Sequence, residues 1–204
     1  MGVIGSAPGP ASEPADGDLG EVPVAGLPSR RGPIEPLSFA AVAEPMRSAL
    51  RPRVRRLGYL GAFFAFAARQ PEALHGFHRF TEELKTSVSP DVTDVVALTV
   101  AATLGNDYER VQHERLAGRR GRTAAWVRAA TTGDPAGELT AAEEAVRALA
   151  VRMIAGAGHG VDAELADLTE LVGQDDAVAV LLLIGRYVAH AHVANALSLT
   201  APFG

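Results

Sequence analysis

The segment NDYERVQH, Asn106 to His113, contains the densest group of reactive side chains in a chain otherwise rich in alanine, valine and leucine. Glu109 precedes His113 by four residues, so on a helix the two side chains share a face with Asn106. A carboxylate beside a histidine can select the ring tautomer and prepare the ring for proton transfer near neutral pH. The same spacing also occurs in solvated surface pairs, and the pair supplies at most two metal ligands. A proton-transfer site, half of a metal site and an exposed polar face all remain open.

Other histidines occur in two helical segments and one loop. His190 shares a helical face with Tyr187 inside the apolar segment LLLIGRYVAHAHVANAL, where a histidine is either a hydrogen-bonded core residue or part of a polar pocket. His75 and His78 are three residues apart in an aromatic segment, and they are weaker ligand candidates. His159 lies between two glycines in a loop.

Composition excludes several classes of function. The chain has no cysteine, so disulfides, thiol catalysis and cysteine-based zinc sites are excluded. A net charge of −5 argues against nucleic acid as the main partner. No uninterrupted run of about 18 apolar residues predicts a membrane span, and the N-terminus lacks the pattern of a secretion signal. A cytoplasmic protein is therefore expected.

The elements that would position these side chains are predicted to be helices. Residues 1–35 form a flexible Pro/Gly-rich tail, and residues 36–204 form a single all-α domain of about eight or nine helices. Ser89 is expected to cap a buried helix that stops at Gly105, and Asn106 is expected to cap the helix that follows. The capping box of Thr140, with Glu143 as its partner, begins another helix.

An arginine-rich run precedes the aromatic segments, and its members are Arg51, Arg53, Arg55 and Arg56. Such a run usually flanks a helix and stays solvated, although it can also bind phosphate or carboxylate. If a substrate carries carboxylates, this run, Arg110 and Arg186 are the candidate partners.

The segment DVVALTVAATLGNDYERVQHERLAGRRG resembles the core of the carboxymuconolactone decarboxylase and alkylhydroperoxidase D-like superfamily. Together with ARQPEALHGFHRF and the terminal apolar segment, the resemblance extends over residues 37–200. It implies an all-helical fold, assembly into a homo-oligomer (dimer, trimer or hexamer), and a pocket for a small-molecule substrate. The net charge and the lack of a long apolar run lead us to expect no nucleic-acid or membrane partner.

The peroxidase branch of this superfamily uses a Cys-x-x-Cys pair followed by a histidine. The two cysteine positions fall on Asn106 and Glu109, while the histidine is kept as His113 and the upstream relay acid falls on Asp94. Neither asparagine nor glutamate can form a disulfide, so a dithiol peroxidase mechanism is excluded.

The resemblance therefore implies a cofactor-free acid/base enzyme of the decarboxylase, isomerase or cyclase type, acting on a small carbonyl or lactone metabolite. The expected catalytic residues are His113 as general acid/base, Glu109 and Asp94. The expected substrate-binding residues are Tyr108, Asn106, Tyr187 and His190. Two alternatives remain: a non-catalytic helical oligomer that binds a ligand or partner, and a metal-using variant with His113 as a ligand beside Glu109 and His190.

Overall fold

The computed structural model describes residue 19 and residues 21–202, and within them it is an all-α structure, as predicted. The described residues form nine α-helices, one short 3₁₀ helix at Phe39–Ala41 and two strands of two residues each. The strands are β1 (Val24–Ala25) and β2 (Leu60–Gly61). The helices are α1 (Met46–Leu57), α2 (Ala62–Ala67), α3 (Pro71–Ser87), α4 (Pro90–Thr103), α5 (Asp107–Arg119), α6 (Ala124–Thr132), α7 (Ala141–Ala155), α8 (Asp162–Val172) and α9 (Gln174–Ala196).

The predicted caps begin the helices that carry the reactive side chains. Ser89 Oγ accepts a hydrogen bond of 3.1 Å from the backbone N–H of Val92 and begins α4. Asn106 Oδ1 accepts one of 3.2 Å from the backbone N–H of Glu109 and begins α5. These bonds satisfy backbone donors that have no partner inside the helix. Thr140 also forms the predicted capping box at the start of α7.

Helix α4 lies at the centre of the first of two core clusters. Every side chain from Thr93 to Ala101 is buried, which explains its valine-rich and nearly uniform apolar sequence. Apolar side chains of α6, α7, α8 and α9 pack around it, with Trp126 as the largest. The chain turns at Gly105, where φ is +63°, and α5 begins two residues later. Helices α4 and α5 are therefore neighbours.

The second core cluster joins the N-terminal elements to α5 and α9. It contains the apolar faces of α1 and α2 together with Leu74, Tyr108 and Ala194. Strand β1 pairs in parallel with β2 in this region, although the sequence shows no convincing strand. Residues 1–18 and 20 of the predicted tail lie outside the described residues. The described residues 21–35 lie against the domain through β1, and the boundary at residue 35 stays a prediction.

Helix α9 connects the two clusters. Among the described residues it is the helix that is long and apolar enough, by length and composition, to cross a membrane. Of its most apolar window, 56% is buried inside the protein, as occurs for a central core helix. Its buried face carries Tyr187 and His190, whereas His192 is exposed.

Candidate active site

Helices α4, α5 and α9 bring the predicted site residues together. His113 Nδ1 on α5 lies 2.9 Å from Asp94 Oδ1 on α4, a contact that helical spacing could not predict. Asp94 is almost fully buried, at 1% exposure, and its second oxygen contacts Arg120 Nη2. A buried carboxylate needs such charged or hydrogen-bonding partners. Asp94 is therefore positioned to hold a proton on His113 Nδ1.

Glu109 bridges two histidines. Its Oε2 lies 3.3 Å from His113 Nε2, and its Oε1 lies 3.2 Å from His190 Nε2. The hydroxyl of Tyr187 also lies 3.4 Å from His113 Nε2. When the His113 ring carries two protons, it donates to Asp94 through Nδ1 and to Glu109 through Nε2. When the ring is neutral and Asp94 keeps the proton at Nδ1, Nε2 is a base beside the Tyr187 hydroxyl.

The surroundings of Glu109 and His190 favour an ionised Glu109 and a neutral His190. Burial by itself raises the pKa of Glu109, but His190, His113 and Arg186 outweigh that effect and hold this pKa well below its usual range. Burial lowers the pKa of His190 to about 4, against the opposing influence of Glu109. The ring of His190 packs on Phe63 with 3.8 Å between ring centroids. A neutral His190 with its proton on Nε2, which lies 3.2 Å from Glu109 Oε1, is compatible with an ionised Glu109.

The two tyrosines of the site remain protonated. Burial raises the pKa of both Tyr108 and Tyr187. Tyr108 Oη accepts a hydrogen bond of 3.3 Å from the backbone N–H of Phe63. Tyr187 meets the His113 ring edge-on, with 5.5 Å between centroids. Both hydroxyls can therefore act as donors toward a bound molecule.

The site opens into a cavity of about 280 Å³. Five predicted residues line it, namely Tyr108, Glu109, His113, Tyr187 and His190. Asp94 lies behind His113 and does not line the cavity. Asn106, expected to bind substrate, is also absent from the lining, because its buried side chain is used to cap α5. Its observed contribution is to hold the first turn that carries Glu109, and substrate binding by Asn106 stays a prediction.

Six cationic side chains line the same cavity, and the sequence did not place them there. They are Arg53, Arg56, Lys85, Arg115, Arg119 and Arg186. Within the described residues, Glu109 is the only acidic side chain in the lining. The sequence signal was weak, because the cations come from α1, α3, α5 and α9. Arg110, another candidate, instead binds Asp107 and Glu114 on the exposed side of α5.

The remaining histidines lie outside this arrangement. His75 and His78 on α3, like His159 in its loop, do not line the cavity. Over residues 21–202, no group of three or more His, Asp or Glu side chains has an arrangement that could hold a metal ion. Glu109 contacts the two histidines directly, with nitrogen–oxygen distances of 3.3 Å to His113 and 3.2 Å to His190.

Comparison with solved structures identifies the architecture. No model of a known protein family matches the sequence, and no curated protein matches it. The structure of a cysteine-to-alanine variant of the debrominase Bmp8, in complex with 2,3,4-tribromopyrrole, is similar with a TM-score of 0.71. The two chains are 16% identical, and the alignment covers 85% of this chain and 93% of the debrominase chain. An uncharacterised peroxidase-related protein from Ralstonia eutropha JMP134 with an alkylhydroperoxidase AhpD core has a TM-score of 0.64. Its identity is 12%, over 89% of this chain and 94% of that chain. The fold is alkylhydroperoxidase D-like.

A third structure has the same alkylhydroperoxidase D-like fold. It is a protein of unknown function from Agrobacterium tumefaciens, suggested to be an AhpD-type antioxidant defence protein, with a TM-score of 0.60. The two chains are 14% identical, and the alignment covers 68% of this chain and 97% of the Agrobacterium chain. The resemblance seen in the sequence is thus confirmed at the level of the fold. On this alkylhydroperoxidase D-like fold, the present chain has no cysteine, so the site contains no thiol.

Proposed function

We propose that this protein is a cofactor-free acid/base enzyme of the decarboxylase, isomerase or cyclase type, acting on a small carbonyl or lactone metabolite. The observation that supports this proposal is the continuous chain of contacts from Asp94 through His113 and Glu109 to His190, which reaches a cavity of about 280 Å³. That solved neighbours with this fold include a debrominase supports an enzymatic role, while their low identity leaves the reaction open.

His113 is the proposed proton carrier. With Asp94 holding the Nδ1 proton, the neutral ring removes a proton from the carbon next to a carbonyl through Nε2, and the C–H electron pair passes into an enolate. The charged ring then returns the proton to another carbon in an isomerase. In a decarboxylase, the His113 ring starts in its charged, doubly protonated form. CO₂ leaves first, its bonding pair forms the enolate, and the charged ring protonates that carbon and then takes up a proton from water.

Glu109, Tyr187 and His190 support this cycle. Glu109 stabilises the charged His113 ring when it forms, and it is itself held in place by His190. The Tyr187 hydroxyl lies 3.4 Å from His113 Nε2. It would therefore lie beside a carbon that exchanges a proton with this nitrogen. Its raised pKa keeps the proton available for donation to an enolate oxygen.

The test is exchange of α-protons for deuterium, followed by NMR on a panel of β-keto acids, β-keto esters and γ-lactones, together with release of CO₂ from the acids. We expect His113→Gln to reduce kcat/KM by roughly 100-fold or more while the helical content is unchanged. His192→Gln, an exposed histidine on α9, is the matched control. Unchanged kcat/KM in the His113 variant would contradict the proposal.

Two other outcomes point to the alternatives. Binding of panel compounds without exchange or CO₂ release by the wild-type protein would favour a non-catalytic, ligand-binding oligomer. Stoichiometric metal in elemental analysis of the purified protein, lost in the His113 variant, would favour a metal-using site.

A further inference from the structure

The guanidinium of Arg186 is held in a fixed orientation at the cavity. Its Nε donates a hydrogen bond of 2.9 Å to Thr81 Oγ1 on α3. Its Cζ lies 5.0 Å from the ring centroid of Phe77 and 4.3 Å from that of Tyr187. One hydroxyl and two aromatic rings therefore fix a planar group with five donors, which is how proteins prepare an arginine for a planar anion.

Arg186 has no acidic partner among the residues that the structure describes. Within residues 21–202, no carboxylate lies at ion-pair distance from it, and its Nη1 is buried without a hydrogen-bond partner. Glu109 shares the cavity, but its two oxygens already face His113 and His190. A guanidinium N–H that is buried without an acceptor is energetically costly. At a wall lined by cations, an anionic group is the acceptor that best offsets this cost.

Other cations near Arg186 would also be stabilised by a bound anion. Arg53 and Lys85 line the same cavity, and Lys85 is balanced by Glu82 at 3.1 Å. Burial lowers the pKa of Lys85, Glu82 opposes that effect, and the positive charges of Arg53 and Arg186 add to it, so the three cations lie close enough to act on one another. Arg53 itself lies over the ring of Phe64, 4.9 Å from the centroid.

We propose that Arg186 binds a carboxylate of the substrate, which makes the substrate an oxo acid or a lactone acid. The inference deepens the proposed function and rests on it for the reacting carbonyl. The guanidinium of Arg186 lies over the ring of Tyr187, 4.3 Å from the centroid, and the hydroxyl of the same ring lies 3.4 Å from His113 Nε2. Tyr187 therefore contacts both the carboxylate anchor and the proton carrier. The carboxylate bound by Arg186 is a group that the reaction leaves unchanged, and it is distinct from any carboxylate lost as CO₂.

The direct test measures binding, by NMR of the labelled protein, for carboxylates and their neutral amides. The probe pairs are levulinate with levulinamide, acetoacetate with acetoacetamide, and phenylacetate with phenylacetamide. We expect the wild-type protein to bind the carboxylate roughly tenfold or more tightly than the amide in at least one pair. Equal binding within every pair, or no binding of any carboxylate at the cavity, would overturn the inference.

Variants locate the discrimination at Arg186. Arg186→Gln should abolish the preference for the carboxylate, and Arg186→Lys should restore only part of it because the fork geometry is lost. Thr81→Val keeps the charge but removes the hydroxyl that orients the guanidinium, so it should weaken the preference without abolishing it. Arg110→Gln, on the exposed side of α5, is the control and should bind as the wild type does. An Arg186→Gln protein that is folded and keeps the preference would refute the assignment.

This experiment separates the inference from the proposed function. His113→Gln should lose turnover yet keep the carboxylate preference, since His113 does not contact Arg186's hydrogen-bond partners. A protein that prefers carboxylates but shows no proton exchange would support the anchor and contradict the enzyme. Proton exchange that depends on His113, with no carboxylate preference, would support the enzyme and contradict the anchor.

Discussion

Two histidines of the same cavity differ because of their neighbours. His113 has a carboxylate oxygen close to each ring nitrogen, at 2.9 Å from Asp94 and 3.3 Å from Glu109. His190 has one such oxygen, while its other side packs on Phe63 and its Nδ1 is buried without a partner among the described residues. The first environment offers an acceptor to each ring nitrogen, and the second suits a neutral hydrogen-bond donor.

The pH dependence of folding tests the assignment of His190. The unfolded chain binds a proton on this ring near its ordinary pKa of 6.5, while the folded protein resists protonation down to about 4. Lowering the pH within that window therefore favours unfolding, by on the order of 2 kcal/mol between pH 6.5 and about pH 5. Glu109 adds its own loss only below its ordinary pKa of 4.5, because its pKa is lowered in the folded protein.

The measurement is chemical denaturation of the wild type, His190→Leu and His192→Gln at several pH values between 6.5 and 5. His190→Leu should show a flatter dependence of the unfolding free energy on pH, and His192→Gln should follow the wild type. Parallel curves for the wild type and His190→Leu would show that His190 is not held neutral by burial.

Asp94 is expected to act through His113. Asp94→Asn replaces an ionised acceptor with an amide, so the tautomer with the proton on Nδ1 is no longer favoured. We expect kcat to fall roughly tenfold or more with little change in KM. Nitrogen-15 NMR of the His113 ring should show a change in tautomer. Loss of activity without any change in the ring signals would assign Asp94 a structural role instead.

At the scale of the elements, two glycines let the backbone approach Tyr108. A Cβ at Gly26 would lie 2.6 Å from the Tyr108 ring, and one at Gly61 would lie 2.7 Å from its hydroxyl oxygen. Both glycines adjoin or belong to the paired strands β1 and β2. This short strand pair, rather than helix packing alone, therefore holds Tyr108 against the cavity.

Gly61→Ala tests that contact. The added methyl group has to displace the Tyr108 hydroxyl and weaken its bond with the Phe63 N–H, so we expect a loss of about 1–3 kcal/mol in unfolding free energy. Gly76→Ala on α3 is the matched control, since its Cβ would meet nothing within 4 Å and a helical alanine is favoured over glycine. Equal stability of the Gly61 variant and the wild type would show that Tyr108 moves freely.

At the scale of the whole molecule, the site lies where the two core clusters meet. Tyr187 belongs to the cluster around α4, whereas Tyr108 belongs to the cluster of N-terminal elements, and both line the cavity. The same helix, α9, contributes Ala191 to one cluster and Ala194 to the other. Relative movement of the clusters would therefore change the distances between the reactive groups.

Assembly into a homo-oligomer stays a prediction from the resemblance. In the single chain, α9 exposes the apolar side chains Val178, Leu182 and Val193. Leu182 lies one helical turn after Val178, and Val193 lies three turns after Leu182, so the three side chains share one face of α9. Burial of this face would favour association. We expect light scattering to give a multiple of 21.2 kDa, and Leu182→Glu to reduce it. Glu164→Lys on α8 is a control for surface charge. A wild-type mass of one chain would contradict the prediction.

The sequence by itself determined the fold class, the caps of α4, α5 and α7, and the pairing of Glu109 with His113. These features depend on local spacing, because residues four apart share a helical face and capping bonds connect near neighbours. Only the tertiary structure decided that Asp94 reaches His113, that His190 reaches Glu109, and that six cations from four helices line one cavity. Such contacts depend on the crossing angles and rotations of packed helices, which side-chain volumes across the whole core determine together. The same reason explains why Asn106 could be identified as a cap from its position, while its distance from the cavity could not.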